Sequence, residues 1–343
     1  MLKVLYDPGF ARHRTGAGHP ERPERLEALA AGLEAGGCPR DTFIRPRYAT
    51  ADEIASVHEP AYIALVEHTC ASLAGDEIAE LPTRDTVVCR ESFDVALLAA
   101  GAALAAGEAA AGGSPSFALA RPPGHHAEPG RGMGFCVFNN VAIAAQAARR
   151  TRGSTLVLDF DYHHGNGTQA WAQNAIGDGG PPLGFLSTHA FPAYPGTGAF
   201  RESLMTDGGF IIDIPLGHTT DTTDFIATWA SLAGPLAAQL EPAAVLVSAG
   251  FDFLAGDPIA GLPVGIDAVD ALCALIGSIA QTHGASLAFI LEGGYATENL
   301  RGAGERLARS FGSESGRVAV PVAARPNDIR LQRMIDDVHG WLR

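Results

Sequence analysis

The run Thr155, Leu156, Val157, Leu158 has no polar face to offer water. As a strand it belongs in a sheet covered on both sides, which is the usual situation of parallel strands in α/β proteins. Asp159-Phe160-Asp161-Tyr162-His163-His164-Gly165-Asn166-Gly167 follows, putting carboxylates and imidazoles where the strand should end. The glycines then permit a sharp turn. Ligands of open α/β sheets sit just beyond the carboxyl ends of strands, and carboxylate oxygen and imidazole nitrogen are ordinary ligands of Zn²⁺. The stretch reads as the metal-binding end of a buried strand.

Short apolar strands alternate with helical segments along most of the chain. Strands are expected at 2–6, 116–120, 155–160, 183–187, 209–214, 244–248 and 286–291, and helices at 24–35, 62–74, 93–111, 140–150, 221–240 and 266–283. That alternation predicts an α/β fold with a mostly parallel central sheet flanked by helices. The longest irregular stretches are 15–23, 79–92, 121–134, 176–183, 188–209 and 255–265. Most follow a predicted strand, where a site would be built. Neither an internal repeat nor a low-complexity linker is visible, so a single domain over 1–343 is expected.

Apolar residues make up 47% of the 343, enough for a large core, and a formal charge of −14 disfavours non-specific nucleic-acid binding, whose affinity comes from cationic contacts to phosphate. Five dispersed cysteines without a CxxC pair suit a reducing compartment. The start Met1-Leu2-Lys3-Val4-Leu5 reads as a strand rather than a leader, and Gly101, Gly107 and Glu108 interrupt the alanine-rich 95–111 stretch. Cytoplasm and no membrane partner are therefore expected. A homo-oligomer is compatible with the sequence.

Three more stretches place reactive side chains beside glycine at a strand's carboxyl end. These are Arg121-Pro122-Pro123-Gly124-His125-His126, Ser248-Ala249-Gly250-Phe251-Asp252 with Gly256-Asp257-Pro258, and Leu291-Glu292-Gly293-Gly294-Tyr295. One such loop would be ordinary hydrogen-bond chemistry; four aimed at one rim describe a site. Residues i and i+2 of extended chain face the same way, so Asp161 and His163 could reach one metal, with Asp252 arriving from another strand. Two carboxylates and one imidazole leave a position open for water and substrate, as in catalytic zinc sites. His125 and His126 would supply proton transfer and Tyr295 a hydrogen bond to a polarised carbonyl. Together they describe amide or ester hydrolysis.

These motifs resemble the zinc-dependent histone deacetylase superfamily, with its bacterial histone deacetylase-like amidohydrolases and acetylpolyamine amidohydrolases. The likeness extends to His19-Pro20-Glu21-Arg22-Pro23-Glu24-Arg25, Val57-His58-Glu59-Pro60-Ala61-Tyr62, Gly134-Phe135-Cys136 and Tyr194-Pro195-Gly196-Thr197-Gly198, all in family order. The Glu-Gly-Gly-Tyr and His-His-Gly-Asn-Gly forms look more like the class II and bacterial branch. The resemblance implies an arginase/deacetylase-type fold with its active site at the strands' carboxyl ends. It implies one Zn²⁺ held by Asp161, His163 and Asp252. His126 would be the general base, later acid to the leaving amine, with His125 as its partner and Asp159 behind His125. Asn166 stands where class I relatives carry a second aspartate. Tyr295 would stabilise the oxyanion. Phe135, Gly134 and Tyr194 would form a narrow acyl-lysine tunnel, and Arg25 would line an internal cavity. Asp159, Asp161, His163 and Ser187 match positions around a structural potassium ion.

An acylated amine such as acetyl-lysine is the expected substrate. A polyamine-selective relative carries a glutamate near Ile259, and Ile259 lacks that charge; the 79–92 segment is also short for the recognition loop of bacterial acetylpolyamine hydrolases. Acetylpolyamine or another small N-acyl amine is the alternative. Two rivals stand beside hydrolysis. A non-catalytic acyl-amine binding protein is disfavoured by intact His125, His126 and Tyr295. A two-metal ureohydrolase of the arginase fold is disfavoured because Tyr162, His164 and Asn166 do not supply bridging aspartates. His189, His218 and His283 lack a motif and read as structural or solvent-facing.

Overall fold

The computed structural model describes residues 1–312, 319–322 and 324–343. In chain order the first half runs β1 (Lys3–Leu5), α1 (Glu24–Ala35), α2 (Ala51–Ala55), α3 (Pro60–Ser72), β2 (Ile78–Glu80), β3 (Val87–Cys89), α4 (Ser92–Ala110), β4 (Ser116–Ala118), α5 (Asn140–Arg152) and β5 (Thr155–Asp159). The second half is α6 (Asn166–Ala175), β6 (Leu183–Ala190), β7 (Leu204–Thr206), β8 (Gly209–Leu216), α7 (Thr222–Leu240), β9 (Ala244–Ala249), α8 (Ala268–His283), β10 (Ser286–Leu291), α9 (Thr297–Gly312) and α10 (Ile329–Trp341).

Eight strands form one sheet in the order β1-β4-β10-β9-β5-β6-β8-β7, parallel except for β7, which pairs antiparallel with β8. The α/β class with a mostly parallel sheet is as expected. Strands β5, β6 and β9 are buried along their whole length, which is why their sequences are apolar runs without alternation. Register sets Asp159 opposite Ser187 on one side and Ser248 on the other. The loops after β4, β5, β6, β9 and β10 thus leave the same edge from adjacent strands.

Capping fixes several helix starts. Asn139 accepts from the Ala142 amide ahead of α5, and Asp221 from the Asp224 amide ahead of α7, each satisfying a donor the helix itself leaves open. Helix α4 is long and apolar enough to cross a membrane by length and composition, yet 61% of that stretch is buried, and it packs on β1, β4 and β10. On another side it lies tight against the 47–49 segment, where a Cβ on Gly101 would run into the Arg47 carbonyl.

Several elements depart from expectation. The 79–92 stretch, read as irregular, contains most of a β2–β3 hairpin with Ile78 opposite Cys89. The 188–209 stretch contributes the end of β6 and all of β7. Strands β2 and β7 have no fully buried residue, their burial being exposed-intermediate-exposed and intermediate-intermediate-exposed, so they lack the apolar run that marks the buried strands. Helix α6 was hidden because Gly165-Asn166-Gly167 reads as a turn. Helix α9 is not among the expected helices, although Leu300, Ala303, Gly304, Leu307 and Ala308 form its buried stripe, a helical spacing. It packs tightly on α1, where a Cβ on Gly32 would meet the Arg301 carbonyl and one on Gly304 the Leu29 carbonyl.

Candidate active site

The chain leaves β5 through successive side-chain-to-backbone turns. Asp159 Oδ1 accepts from the Asp161 amide at 3.1 Å, and Asp161 Oδ1 from the His163 amide at 2.9 Å. Asp161 and His163 therefore converge through a bend outside the strand, not through the pleat invoked from sequence; short carboxylates readily stabilise such local turns. Asp252 arrives from the loop after β9. His163 Nδ1 lies 3.2 Å from Asp161 Oδ1 and 3.0 Å from Asp252 Oδ2, and one ligand atom from each of the three falls within 4.8 Å of the others. The Gly293 amide donates to Asp161 Oδ2 and the Tyr162 amide to Asp252 Oδ1. A Cβ on Gly250 or Gly293 would strike these carboxylates, so glycine is what the packing permits there.

The donor set fits a divalent cation. Asp161 and Asp252 are at most 1% exposed, and two buried carboxylates meeting at one imidazole nitrogen need a positive charge between them. Burial lifts the Asp252 carboxyl to about 6, with the Asp161 charge adding to it. Burial would lower the His163 imidazole, but Asp161 and Asp252 outweigh it and raise it to about 10.

His125 and His126 stack beside this cluster with ring centres 4.0 Å apart. His125 Nδ1 faces Asp159 Oδ2 at 3.1 Å, and His126 Nδ1 faces Asn166 Oδ1 at 2.8 Å. Burial would lower His125, but Asp161 and Asp159 overcome it and raise the imidazole to about 10. Burial, and then the charges of His125 and His163, push His126 well below its ordinary value. The two rings are thus pushed in opposite directions, His125 towards the charged form by its carboxylates and His126 towards the neutral form by burial, the pattern that separates acid from base in a shared site.

Tyr295 is 8% exposed, its ring 6.0 Å from Phe135 and 4.9 Å from the Arg25 guanidinium. Burial raises its phenol well above the ordinary value, and Asp252 and Asp161 act in the same direction, so the hydroxyl keeps its proton. Tyr194 stands over the histidines, 5.1 Å from the His126 ring and 6.2 Å from that of His163, and is 40% exposed with its hydroxyl donating to Asp85 at 2.7 Å. Phe135 lies edge-on to His19 at 4.7 Å. Gly134 and Phe135 both hold left-handed backbone, at φ 56° and 68°, and a Cβ on Gly134 would collide with the His126 ring. Ile259 is 42% exposed. Arg25 is fully buried and donates to the Gly294 carbonyl at 2.6 Å and to that of Glu292. Ser187 Oγ lies 2.9 Å from His189 Nδ1, and Ser187 pairs with Asp159 across the sheet.

Sequence reasoning missed three contributors. Glu292 accepts from the Gly124 and His125 amides at 2.7 and 3.0 Å, tying the histidine loop to that of Tyr295. Asp257 accepts from the Tyr295 and Ala296 amides. The third is a buried group of His164, His189 and Asp213 whose ligand atoms also fall within 4.8 Å of one another. His189 is thus structural and buried, as expected of it in part, but in company no motif announced. Its Nε2 faces the Gly198 carbonyl at 2.7 Å, and His164 lies between Thr197 Oγ1 and Asp213 Oδ1. Protein partners thus occupy both nitrogens of each ring, unlike the open cluster of Asp161, His163 and Asp252.

Fold and site together define an α/β protein with a candidate metal centre at the carboxyl edge of a parallel sheet. The histone deacetylase domain family matches residues 19–310. Among relatives, a rice protein named histone deacetylase 10, chloroplastic, is 33% identical over 317 residues, covering 87% of this chain and 70% of its own. The mouse polyamine deacetylase HDAC10 is 35% identical over 294 residues, 82% of this chain and 43% of its own. The crystal structure of the HDA15 HD domain superposes with a TM-score of 0.83 at 29% identity, covering 99% of this chain and 95% of that one. The chain belongs to the histone deacetylase family.

Proposed function

We propose that this protein is a zinc-dependent amidohydrolase that removes acetyl or related acyl groups from amines such as acetyl-lysine, working as one catalytic domain over 1–343. The observation carrying this reading is the convergence of Asp161, His163 and Asp252 beside two stacked histidines backed by Asp159 and Asn166. Zinc bound by those three residues supplies Lewis-acid polarisation of the acyl carbonyl and a water acidified towards neutrality.

The chain's own residues do the rest. Neutral His126, its Nδ1 committed to Asn166, takes the proton of the attacking water through Nε2 and later returns it to the leaving amine. Such a group contributes roughly 10²–10⁴-fold. Protonated His125, held by Asp159, stabilises the negative charge that develops. Tyr295 donates its hydroxyl proton in a hydrogen bond to the carbonyl oxygen, a contribution of about 2.7–4 kcal/mol for an oxyanion donor. Phe135 and Tyr194 clasp the apolar stem of the acyl-amine, with Gly134 leaving room beside His126. Asp159 and Ser187 would hold a structural potassium ion, as the family likeness implies. An acetylated polyamine is the second reading, favoured by the likeness to the mouse polyamine deacetylase.

Zinc-loaded protein should release acetate from acetyl-lysine peptides, with acetylated putrescine, cadaverine and spermidine run alongside. Tyr295→Phe should lower kcat about 10²–10³-fold at unchanged zinc content. Full zinc occupancy without hydrolysis of any of these amides would reject the reading.

A further inference from the structure

The amide of Asn166 is a two-faced neighbour for a catalytic base. Its oxygen accepts and its nitrogen donates, so nothing intrinsic to asparagine decides which end His126 meets. Here the Asn166 oxygen faces His126 Nδ1 at 2.8 Å, while the nitrogen donates to Glu128 Oε1 at 2.8 Å and, at longer range, to the Met133 sulfur at 3.3 Å and the His126 carbonyl at 3.5 Å. A carboxylate only accepts. Turning the amide over would set its oxygen against Glu128, two acceptors face to face.

Glu128 is itself held in place. Its carboxylate receives two hydrogen bonds from the Arg131 guanidinium, at 2.9 and 2.8 Å. Its backbone exchanges hydrogen bonds with Arg131, 2.9 Å in one direction and 3.3 Å in the other. His58 adds a third tie: the Asn139 amide donates to His58 Nε2 at 2.8 Å, which leaves Nδ1 to donate to the Glu128 carbonyl at 3.1 Å. The carboxylate is a quarter exposed, so it remains hydrated on one side while its inner oxygen meets the amide.

We infer that Glu128 is a positioning residue for the base: by accepting from Asn166, it turns the amide oxygen towards His126 and so fixes the ring with its proton on Nδ1 and its lone pair on Nε2. In the opposite orientation the amide nitrogen would donate to Nδ1, the proton would move to Nε2, and the nitrogen facing the substrate could no longer accept one. The relay His126–Asn166–Glu128–Arg131 does with a neutral amide and a carboxylate one step back what a carboxylate directly behind the histidine would do alone. The inference rests on the proposed role of His126 and can be tested apart from it.

The decisive test is the ring itself. In the full chain labelled with ¹⁵N-histidine, with and without zinc, His126 should show a protonated Nδ1 and an unprotonated Nε2. Glu128→Gln, whose terminal amide can present either end, should add signal from the other tautomer. In kinetics, Glu128→Gln should lower kcat/KM by about tenfold, the range expected when a hydrogen bond to a charged group is lost, with KM little changed. Asn166→Asp alone sets two carboxylates against each other and should also lose activity. Combined with Glu128→Gln it should recover at least threefold over Asn166→Asp, because the new carboxylate accepts from His126 in any orientation and from the glutamine amide. A wild-type ring protonated on Nε2, or losses that simply multiply in the double variant, would overturn the assignment. If the wild-type chain hydrolyses no amide, the proposed function fails while the ring measurement still decides this inference.

Discussion

Asp257 grips Tyr295 by the backbone. Its Oδ2 accepts from the Tyr295 amide at 2.7 Å and the Ala296 amide at 3.0 Å, while Oδ1 accepts from Ile259 and Ala260 at 3.0 and 3.3 Å. One carboxylate thereby locks the loop after β10 to the loop after β9, which also carries Asp252. The phenol and the candidate metal ligand Asp252 are held in one frame although they are 43 residues apart in sequence.

Asp257→Asn should turn part of that grip into donor facing donor. Hydrogen bonds to charged groups are worth about 1.5–3 kcal/mol, so kcat should fall by about 10–100-fold with KM nearly unchanged. In a Tyr295→Phe background the same substitution should cost little more, since the group it positions is gone. Steady-state kinetics of the four-member cycle check this, and fully additive losses would refute it.

Metal should be a stability factor as well as a cofactor. Because Asp161 and Asp252 are buried with His163 as their shared neighbour, stripping zinc with a chelator should lower the Tm, and adding it back should restore it. A ligand at 100 times its Kd stabilises by about 2.7 kcal/mol. Asp252→Asn should bind zinc below one per chain by elemental analysis and lose the thermal response to it.

His58 should make the fold acid-sensitive. Burial lowers its imidazole to about 4 in the folded chain, below the ordinary value near 6.5. The unfolded chain therefore takes up the proton first. Its contribution is whole above about pH 6.5 and is lost as pH falls towards 4, by up to about 1.4 kcal/mol per pH unit. Burial lowers His13 in the same direction, to about 3. Denaturant midpoints from pH 8 to pH 4.5 should fall, and His58→Gln, less stable at pH 8, should show a shallower slope.

The α1–α9 interface should tolerate no side chain at Gly32. An added Cβ would overlap the Arg301 carbonyl, and overpacking a tight contact costs about 1–3 kcal/mol. Gly32→Ala should lower Tm by several degrees while leaving zinc content unchanged. Gly340→Ala, where a Cβ meets nothing, is the control. Equal Tm values for the two would contradict the packing argument.

What the sequence by itself determined was type and place. The apolar runs at β5, β9 and β10 and at the start of β6 read as strands covered on both faces, and the histidines, aspartates and tyrosine follow strand ends because chemistry-bearing loops in such sheets gather there. The family likeness then marked which of those side chains to watch. What the sequence left open was relation. That Asp161 and His163 meet through a bend and not through the pleat, that Asp257 clamps Tyr295, that Glu128 decides which end of Asn166 His126 sees, and that His164 meets Asp213, are contacts between residues distant in sequence or set by local turns. Periodicity registers a residue's face within its own element. The orientation of an amide, or the protonation of one imidazole beside another, depends on partners that other strands and loops deliver, and only the folded chain brings them within hydrogen-bond range.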